Sequence, residues 1–412
     1  MRKALYLLIF HECKHYGAVP PMTRNLSQTS RYAIIPIALC LIALVEARHP
    51  FPSFRLATFI VAFLAFDCMA FLLRGKSRDG LIVLASLAFG LCVVEGVATA
   101  IEPKVVINVT KGSSVRRPVI GWGPEHPGRF HAEKRDPKTG AVIFRADYTI
   151  DGNLVRQTIS SEKGPAIVFF GDSYTFGEGV NDTETLPQAF ADLLGRKERV
   201  LNLSFTGYGP QQFLRELETG LFDSLIGSRP RLFIFMTAAW HAERTACKSY
   251  WTPHAPLYAL ENGQIAFKGA CNEGLSMWLR EWLENTASYR LMVEPIRHKL
   301  SDNDVDLYIR ILLAAVNMAK EKYGVATLIP YIRVGKNYLG GTGFSDESII
   351  ARLREGGAIV VDASLAEAEA QGDLISIPGD GHPTPFANRA RAVMLQDYIG
   401  RQMPGMLHTA SE

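Results

Sequence analysis

Charge of one sign, metal-ligand clusters and a clean export leader are all scarce in this chain, and each shortage removes a class of function. The formal net charge is only +3 over 412 residues, and no basic stripe carries interleaved aromatics, so nucleic acid is excluded as a partner. His126 and His131 have no second cluster at metal spacing beside them. They read as surface histidines, and no metal or cofactor is expected. The opening MRKALYLLIF starts like a signal peptide, yet its apolar run is brief and no small-residue cleavage site follows. Met1 and Met22 both stand as starts.

Long apolar runs, by contrast, are plentiful, in a composition that is 48% apolar. Positions 32–45, 56–73 and 81–101 are nearly uncharged blocks, and a bilayer-spanning helix needs about 17–25 such residues. Loops between the blocks are too small to cover them, so three transmembrane helices are expected over 31–101, the first being the shortest. Arg24 and Arg31 precede the first block and Arg74, Lys76 and Arg78 follow the second. By the positive-inside rule the segment 1–30 is cytoplasmic and everything after about residue 102 is exported, into the periplasm if the chain is bacterial.

Of the six cysteines, Cys40, Cys68 and Cys92 fall one in each block and Cys13 near the start. Only Cys247 and Cys271 lie in the exported part, where two cysteines are candidates for a disulfide; two unrelated buried thiols are the alternative. Asp67 and Glu95 lie inside apolar blocks, where a carboxylate is costly unless protonated, paired or facing protein.

The exported part opens with a Gly-, Pro- and charge-rich lead-in, 102–160. Alternating runs such as AVIFRADYTI predict short antiparallel strands, with turns at Pro137–Gly140 and Asp151-Gly152. From 161 to 402 the pattern changes. The runs 166–170, 200–205, 232–237, 325–331 and 358–362 lack polar alternation, as strands buried on both faces do. Helical stretches separate them at 184–196, 210–226, 303–323, 346–355 and 385–400. An α/β domain with a parallel, helix-covered sheet follows, with a Trp- and Tyr-bearing insertion at 242–300 and a tail at 403–412.

In such sheets ligands bind beyond the C-terminal strand ends, which is where the polar, Gly-containing segments fall. They are Gly171-Asp172-Ser173, Thr206-Gly207-Tyr208-Gly209, Ala239-Trp240-His241 and the loop GDGHPTPFAN at 379–388. Pro383 and Pro385 hold the residues before them extended, while Thr384 caps and Pro385 opens the last helix. On an extended segment, side chains two apart point the same way, so Asp380 and His382 can share a hydrogen bond.

GDSYTFGEG, NLSFTGYG and the closing DGHP resemble the blocks of the SGNH/GDSL hydrolase family over about 165–402. The resemblance implies a flavodoxin-like three-layer sheet and a serine enzyme that cleaves or transfers ester-linked acyl groups. By position it implies Ser173 as nucleophile, with its own N–H and that of Gly207 as oxyanion donors, His382 as general base and Asp380 as the group that orients it. A serine hydroxyl needs a base near neutral pKa, and that base needs a carboxylate to fix its tautomer. Each oxyanion donor commonly supplies on the order of 3 kcal/mol.

The chain departs from the family at the third block, where Gly-x-Asn-Asp is expected and TAAWHAER stands. Thr237 or His241 would then have to donate in place of the asparagine, or the site would run with two donors and a slower rate; for His241 a satisfied pocket or surface histidine is the favoured alternative. The expected activity is that of a membrane-anchored, periplasm-facing esterase or O-acyltransferase on small acyl esters of a cell-surface polysaccharide. Its expected partners are that ester, the bilayer and polysaccharide-assembly proteins. A degenerate glycan-binding or scaffolding domain is the alternative, and action on lysophospholipids a variant for which the sequence offers no long apolar pocket.

Overall fold

The computed structural model describes residues 54–102, 106–249, 254–271, 282–297, 299–335 and 337–407, together with Ile37, Cys40, Leu41, Ile42, Leu44 and Leu279. The chain divides into two compact units, one comprising Met1–Glu102 with Asn285–Tyr289 and the other comprising the rest. The expected first membrane helix, 32–45, lies largely outside the described residues. The described part of the first unit therefore holds two candidate spans rather than three.

These two helices are α1 (Phe54–Leu72) and α2 (Lys76–Ile101). Both are long and apolar enough to cross a membrane. Their large side chains point outward, with Phe71 87%, Leu87 61% and Val83 60% exposed, which a helix in a soluble core would not show. Glu95 of α2, by contrast, is fully buried. Its carboxylate accepts hydrogen bonds from the Ala287 N–H (2.7 Å), the Ser288 N–H (3.0 Å) and the Ser288 hydroxyl (2.6 Å). The expected insertion is thus not wholly part of the α/β body, because residues 285–289 belong with the apolar helices. Asp67 is exposed.

The second unit begins with the lead-in. Strands β1 (Val106–Val109), β2 (Val115–Arg117), β3 (Gly121–Gly123), β4 (Gly128–Arg135) and β5 (Val142–Ile150) form a β2-β3 hairpin and an antiparallel sheet of order β1-β4-β5. The β4–β5 turn is set by Asp136, whose carboxylate accepts from the N–H groups of Lys138 and Thr139, a local bond that favours a turn over continued strand. Phe144, Ala146, Tyr148 and Ile150 alternate inward along β5 and join Phe130, Phe176 and Phe205 in one apolar cluster.

The parallel sheet follows, from β6 (Ala166–Phe170), β7 (Arg199–Asn202), β8 (Leu232–Phe235) with its short extension β9 (Thr237–Ala238), β12 (Thr327–Ile332) and β13 (Ile359–Asp362); an antiparallel hairpin, β10 (Pro256–Glu261) and β11 (Gln264–Ala270), belongs to the insertion. Across the parallel sheet the order is β7-β6-β8-β12-β13, the flavodoxin-like order in which the chain reverses direction between its first and third strands. Alternation along β6 feeds two cores. Ala166, Val168 and Phe170 enter one, and Ile167 and Phe169 the other.

Helices α3 (Ser173–Phe176), α4 (Leu186–Leu193), α5 (Pro210–Thr219), α6 (His241–Thr245), α7 (Asp302–Tyr323), α8 (Asp346–Glu355) and α9 (Pro385–Gln402) complete the domain. Helices α5, α7 and α8 cover one face of the sheet, and α4 and α9 the other. The third strand is shorter than the sequence suggests because Met236 interrupts it, and the second ends at Asn202, whose side chain turns back to the Thr175 carbonyl.

Arg156 staples the lead-in to this domain. Its side chain is fully buried and donates to Asp182 (3.0 Å) and to the carbonyls of Phe176 (3.2 Å), Gly177 (3.3 Å) and Val180 (3.1 Å). Its guanidinium carbon also lies 4.4 Å from the Tyr148 ring centroid and 4.7 Å from that of Phe176. Replacing Arg156 with methionine strips these acceptors of their donor, and we expect a loss of about 3–5 kcal/mol in denaturant unfolding. A loss below about 1 kcal/mol would show that the lead-in is not tied to the domain through this residue.

Candidate active site

Ser173 stands where β6 ends, at the point where the strand order reverses. The turn that exposes it needs glycine before it. Gly171 has φ +144°, and a Cβ there would lie 2.5 Å from Thr175 Oγ1. Asp172 caps the short helix by accepting the Tyr174 N–H at 3.0 Å, which places Ser173 as the first helical residue.

The partner loop is built at the start of α9, where Thr384 caps the helix through the Ala387 N–H and Pro385 opens it. His382 is held just ahead of the cap, and its Nε2 lies 2.9 Å from Ser173 Oγ. On its other side, Nδ1 lies 2.6 Å from Asp380 Oδ2, which also accepts the His382 backbone N–H at 3.1 Å. The second carboxylate oxygen of Asp380 takes a 2.6 Å hydrogen bond from Lys134 Nζ of β4.

Electrostatics fix the protonation pattern. Burial opposes the charge on Asp380, but the hydrogen bond and charge of His382, together with Lys134, outweigh it and hold the carboxyl down to about 2. A carboxylate can only accept, so Nδ1 of His382 carries the proton and Nε2 presents its lone pair to the serine hydroxyl. Burial opposes the charged form of His382 as well, yet its bond to Asp380 and the charges of Glu178, Asp380 and Asp172 raise its pKa above the ordinary value. Glu178 is part of this setting, with Oε2 3.6 Å from His382 Nε2, buried and without a hydrogen-bond partner.

The loop after β7 meets the serine turn, where the Phe205 N–H donates to the Gly171 carbonyl at 3.4 Å. Neither the Ser173 N–H nor the Gly207 N–H is taken by another backbone group among the described residues. The peptide that carries the Gly207 N–H is held from behind, because Trp122 Nε1 donates to the Thr206 carbonyl at 2.8 Å and a trans peptide directs its N–H the opposite way. Tyr208 returns the contact through its hydroxyl, 2.5 Å from the Trp122 carbonyl.

Thr237 and His241, the two candidates to replace the family asparagine, both have partners within the protein. His241 is fully buried, and its Nε2 lies 3.2 Å from Asp172 Oδ2. Burial and the nearby Arg244 charge lower its pKa to about 4, so it is neutral with Nε2 protonated. Thr237 then donates to His241 Nδ1 (2.7 Å) and accepts from the Tyr308 hydroxyl (2.9 Å). Neither side chain has a proton left for a developing oxyanion.

Both belong to a network centred on Asp172 that the sequence did not single out. Oδ2 of Asp172 also accepts from Trp240 Nε1 (3.0 Å) and Arg244 Nη1 (2.9 Å). Burial pushes the Asp172 carboxyl up, but the charge of Arg244 and the bond from His241 bring it well below the usual range. Arg244 donates as well to the Tyr208 carbonyl at 2.6 Å and so ties the serine turn to the Gly207 loop. Three residues beyond, Cys247 is bonded to Cys271. Lys134 and Trp122 left no sequence signal, because each lies far in the chain from the residue it holds; Arg244 could be placed beside the crevice by its position after the third strand, though not its partner, and Glu178 and Asp172, inside GDSYTFGEG, could have been found there. His126 and His131 are exposed, as expected.

No family model and no curated protein matches this chain. Solved structures do. A psychrotrophic esterase from Pseudoalteromonas is 13% identical, with 58% of this chain and 99% of that one covered and a TM-score of 0.36. A protein of Slackia heliotrinireducens assigned to the SGNH hydrolases is 14% identical, covering 58% and 100% with a TM-score of 0.32. A lipolytic protein of the G-D-S-L family from Desulfitobacterium hafniense is 12% identical, covering 57% and 99% with a TM-score of 0.34. In each of these comparisons, what the chain is similar to is an esterase or an SGNH or GDSL hydrolase.

Proposed function

We propose that this chain is a membrane-anchored serine esterase or O-acyltransferase. The observation that carries the reading is the continuous hydrogen-bonded line from Ser173 Oγ through both nitrogens of His382 to Asp380, at 2.9 and 2.6 Å. In the first step His382 Nε2 removes the serine proton as Oγ attacks the ester carbonyl. The resulting oxyanion faces the N–H groups of Ser173 and Gly207. His382 then returns the proton to the departing alcohol oxygen, leaving an acyl-serine. Water, or the hydroxyl of a second alcohol, attacks that intermediate with His382 again as base, and the products are an acid or a new ester.

Two outward-facing apolar helices support the anchor, and the Lys and Arg bias supports a cytoplasmic N-terminus with the α/β unit on the periplasmic side. The Cys247–Cys271 bond favours an oxidising compartment for that unit. The aromatics of the insertion add little to a carbohydrate substrate: Tyr258 and Tyr289 are buried, Trp282 is half-buried, and Trp251 and Trp278 lie outside the described residues. A sugar as the alcohol part of the ester is therefore proposed mainly on the export topology.

The commitment of Thr237 and His241 favours a second reading, a domain that binds without turning over. Two oxyanion donors in place of three would slow acyl transfer by about 10²–10³ without abolishing it. Labelling with a fluorophosphonate probe and hydrolysis of p-nitrophenyl acetate separate the readings. The wild-type chain should react in both assays and Ser173→Ala in neither; a wild type that behaves like Ser173→Ala leaves only binding.

The pH profile tests the role of Lys134. Activity rises with pH as His382 loses its proton, and the midpoint should lie above the ordinary histidine value of about 6.5. Removing the lysine charge leaves Asp380 uncompensated and stabilises the imidazolium further. Lys134→Met should therefore move the acid limb upward by about half a unit, with Lys134→Arg restoring it. A lowered rate with an unmoved limb would make Lys134 a packing residue only.

A further inference from the structure

Beside His382 the lead-in and the α/β domain enclose a cavity of about 450 Å³, within the range of small-molecule sites. Trp122, Phe130, Phe144, Tyr148, Phe176 and Phe205 are the aromatic part of its wall. Two further lining residues, Glu178 and Thr206, join it to the candidate active site. Glu178 Oε2 is 3.6 Å from His382 Nε2, and Thr206 shares its peptide with the Gly207 N–H. We propose that this cavity takes the aliphatic chain of the acyl group, so that the substrate is an ester of a medium-length fatty acid rather than of acetate. The proposal rests on the esterase reading and names its substrate class.

The wall favours a chain by its balance of residues. The Trp122 indole N–H is given to the Thr206 carbonyl, and although Ser113, Ser114, Arg116 and His254 add a polar part, aromatic and aliphatic residues outnumber the polar ones. Methylenes laid against them need no hydrogen-bond partner. The wall's carboxylate is Glu178, whose Oε2 lies 3.6 Å from His382 Nε2. An ester passes this charge freely. A released fatty carboxylate is repelled by it, which favours departure of the hydrolysis product.

The cavity is also specific to this arrangement of elements. Phe130, Phe144 and Tyr148 come from β4 and β5 of the lead-in, which precede the first parallel strand, so the α/β domain by itself would lack the far wall. Its floor includes Ala132, a small and nearly fully buried residue of β4, where a larger side chain would occupy the space meant for methylenes.

The test is a chain-length series of p-nitrophenyl esters with the full chain in nanodiscs, comparing wild type with Ala132→Phe. Each methylene buried raises kcat/KM by about fourfold at most, so octanoate should exceed acetate by about a hundredfold or more in the wild type. Ala132→Phe should lower that octanoate-to-acetate ratio at least tenfold. If Ala132→Phe does not fold, the wild-type ratio decides alone. Acetate hydrolysed as well as octanoate, or a ratio indifferent to Ala132→Phe, overturns the acyl-chain site while leaving the esterase intact. Failure to hydrolyse either ester, matched by Ser173→Ala, removes the esterase reading and this proposal with it.

Discussion

The carboxylate of Asp380 is almost wholly withdrawn from water, its side chain 1% exposed, and its charge is supported by two donors, one from two residues along the same loop and one from a distant strand. His382 approaches one oxygen and Lys134, 246 positions away, the other. An unpaired carboxylate at such a place would take up a proton. A neutral Asp380 could donate as well as accept, and the imidazole would no longer be held in the one tautomer that points a lone pair at Ser173. The geometry at the serine thus depends on a lysine from the lead-in sheet. The antiparallel lead-in and the parallel α/β domain are parts of one working unit, held together by Arg156 on one side of the site and by this ion pair on the other.

A second buried carboxylate does for the serine turn what Asp380 does for the histidine. Asp172 gathers donors from Tyr174, Trp240, His241 and Arg244, three of them from the segment after the third strand. That is the segment where the family pattern would place an asparagine aimed at the substrate. In this chain its polar side chains point instead at the carboxylate beneath the nucleophile. That segment braces the turn that presents Ser173. Arg244 extends the brace to the Tyr208 carbonyl, and the disulfide three residues later fixes the end of α6.

Much of this was legible in the sequence wherever the signal is local. Strands buried on both faces read as unbroken apolar runs, and their positions held to within a few residues. The Asp380–His382 bond followed from alternation along an extended, proline-flanked segment, and the Thr384 cap from its residue type. Contacts between remote segments were not legible. Nothing around Lys134 marks it as a partner for Asp380, since β4 reads there as an ordinary charged edge, GRFHAEKR. Trp122, in a short Gly-Trp-Gly run, gives no hint of the peptide it holds. The cavity was invisible for the same reason: its walls come from β4, β5, the turn after Ser173 and the loop after β7, each unremarkable alone. For Thr237 and His241 the choice between donating to a substrate and being satisfied within the protein stayed open, because residue type tells what a side chain can donate, whereas only packing tells to whom.

The cavity also bears on what the absent third donor costs. An oxyanion donor is worth on the order of 3 kcal/mol, and a buried methylene about 0.8 kcal/mol, so roughly four methylenes match one donor in kcat/KM. The two are not equivalent in kind. A donor acts only as the charge develops, whereas an apolar chain binds in the ground state too, and raises kcat only to the extent that anchoring it steers the carbonyl into line with Ser173 Oγ. A site with two donors and an apolar wall beside them is therefore suited to substrates that are held well and turned over slowly. On the acyl-transfer branch of the function proposed above, Glu178 beside that wall would repel a fatty carboxylate and leave an alcohol acceptor undisturbed, and a slow acyl-serine would give such an acceptor time to arrive.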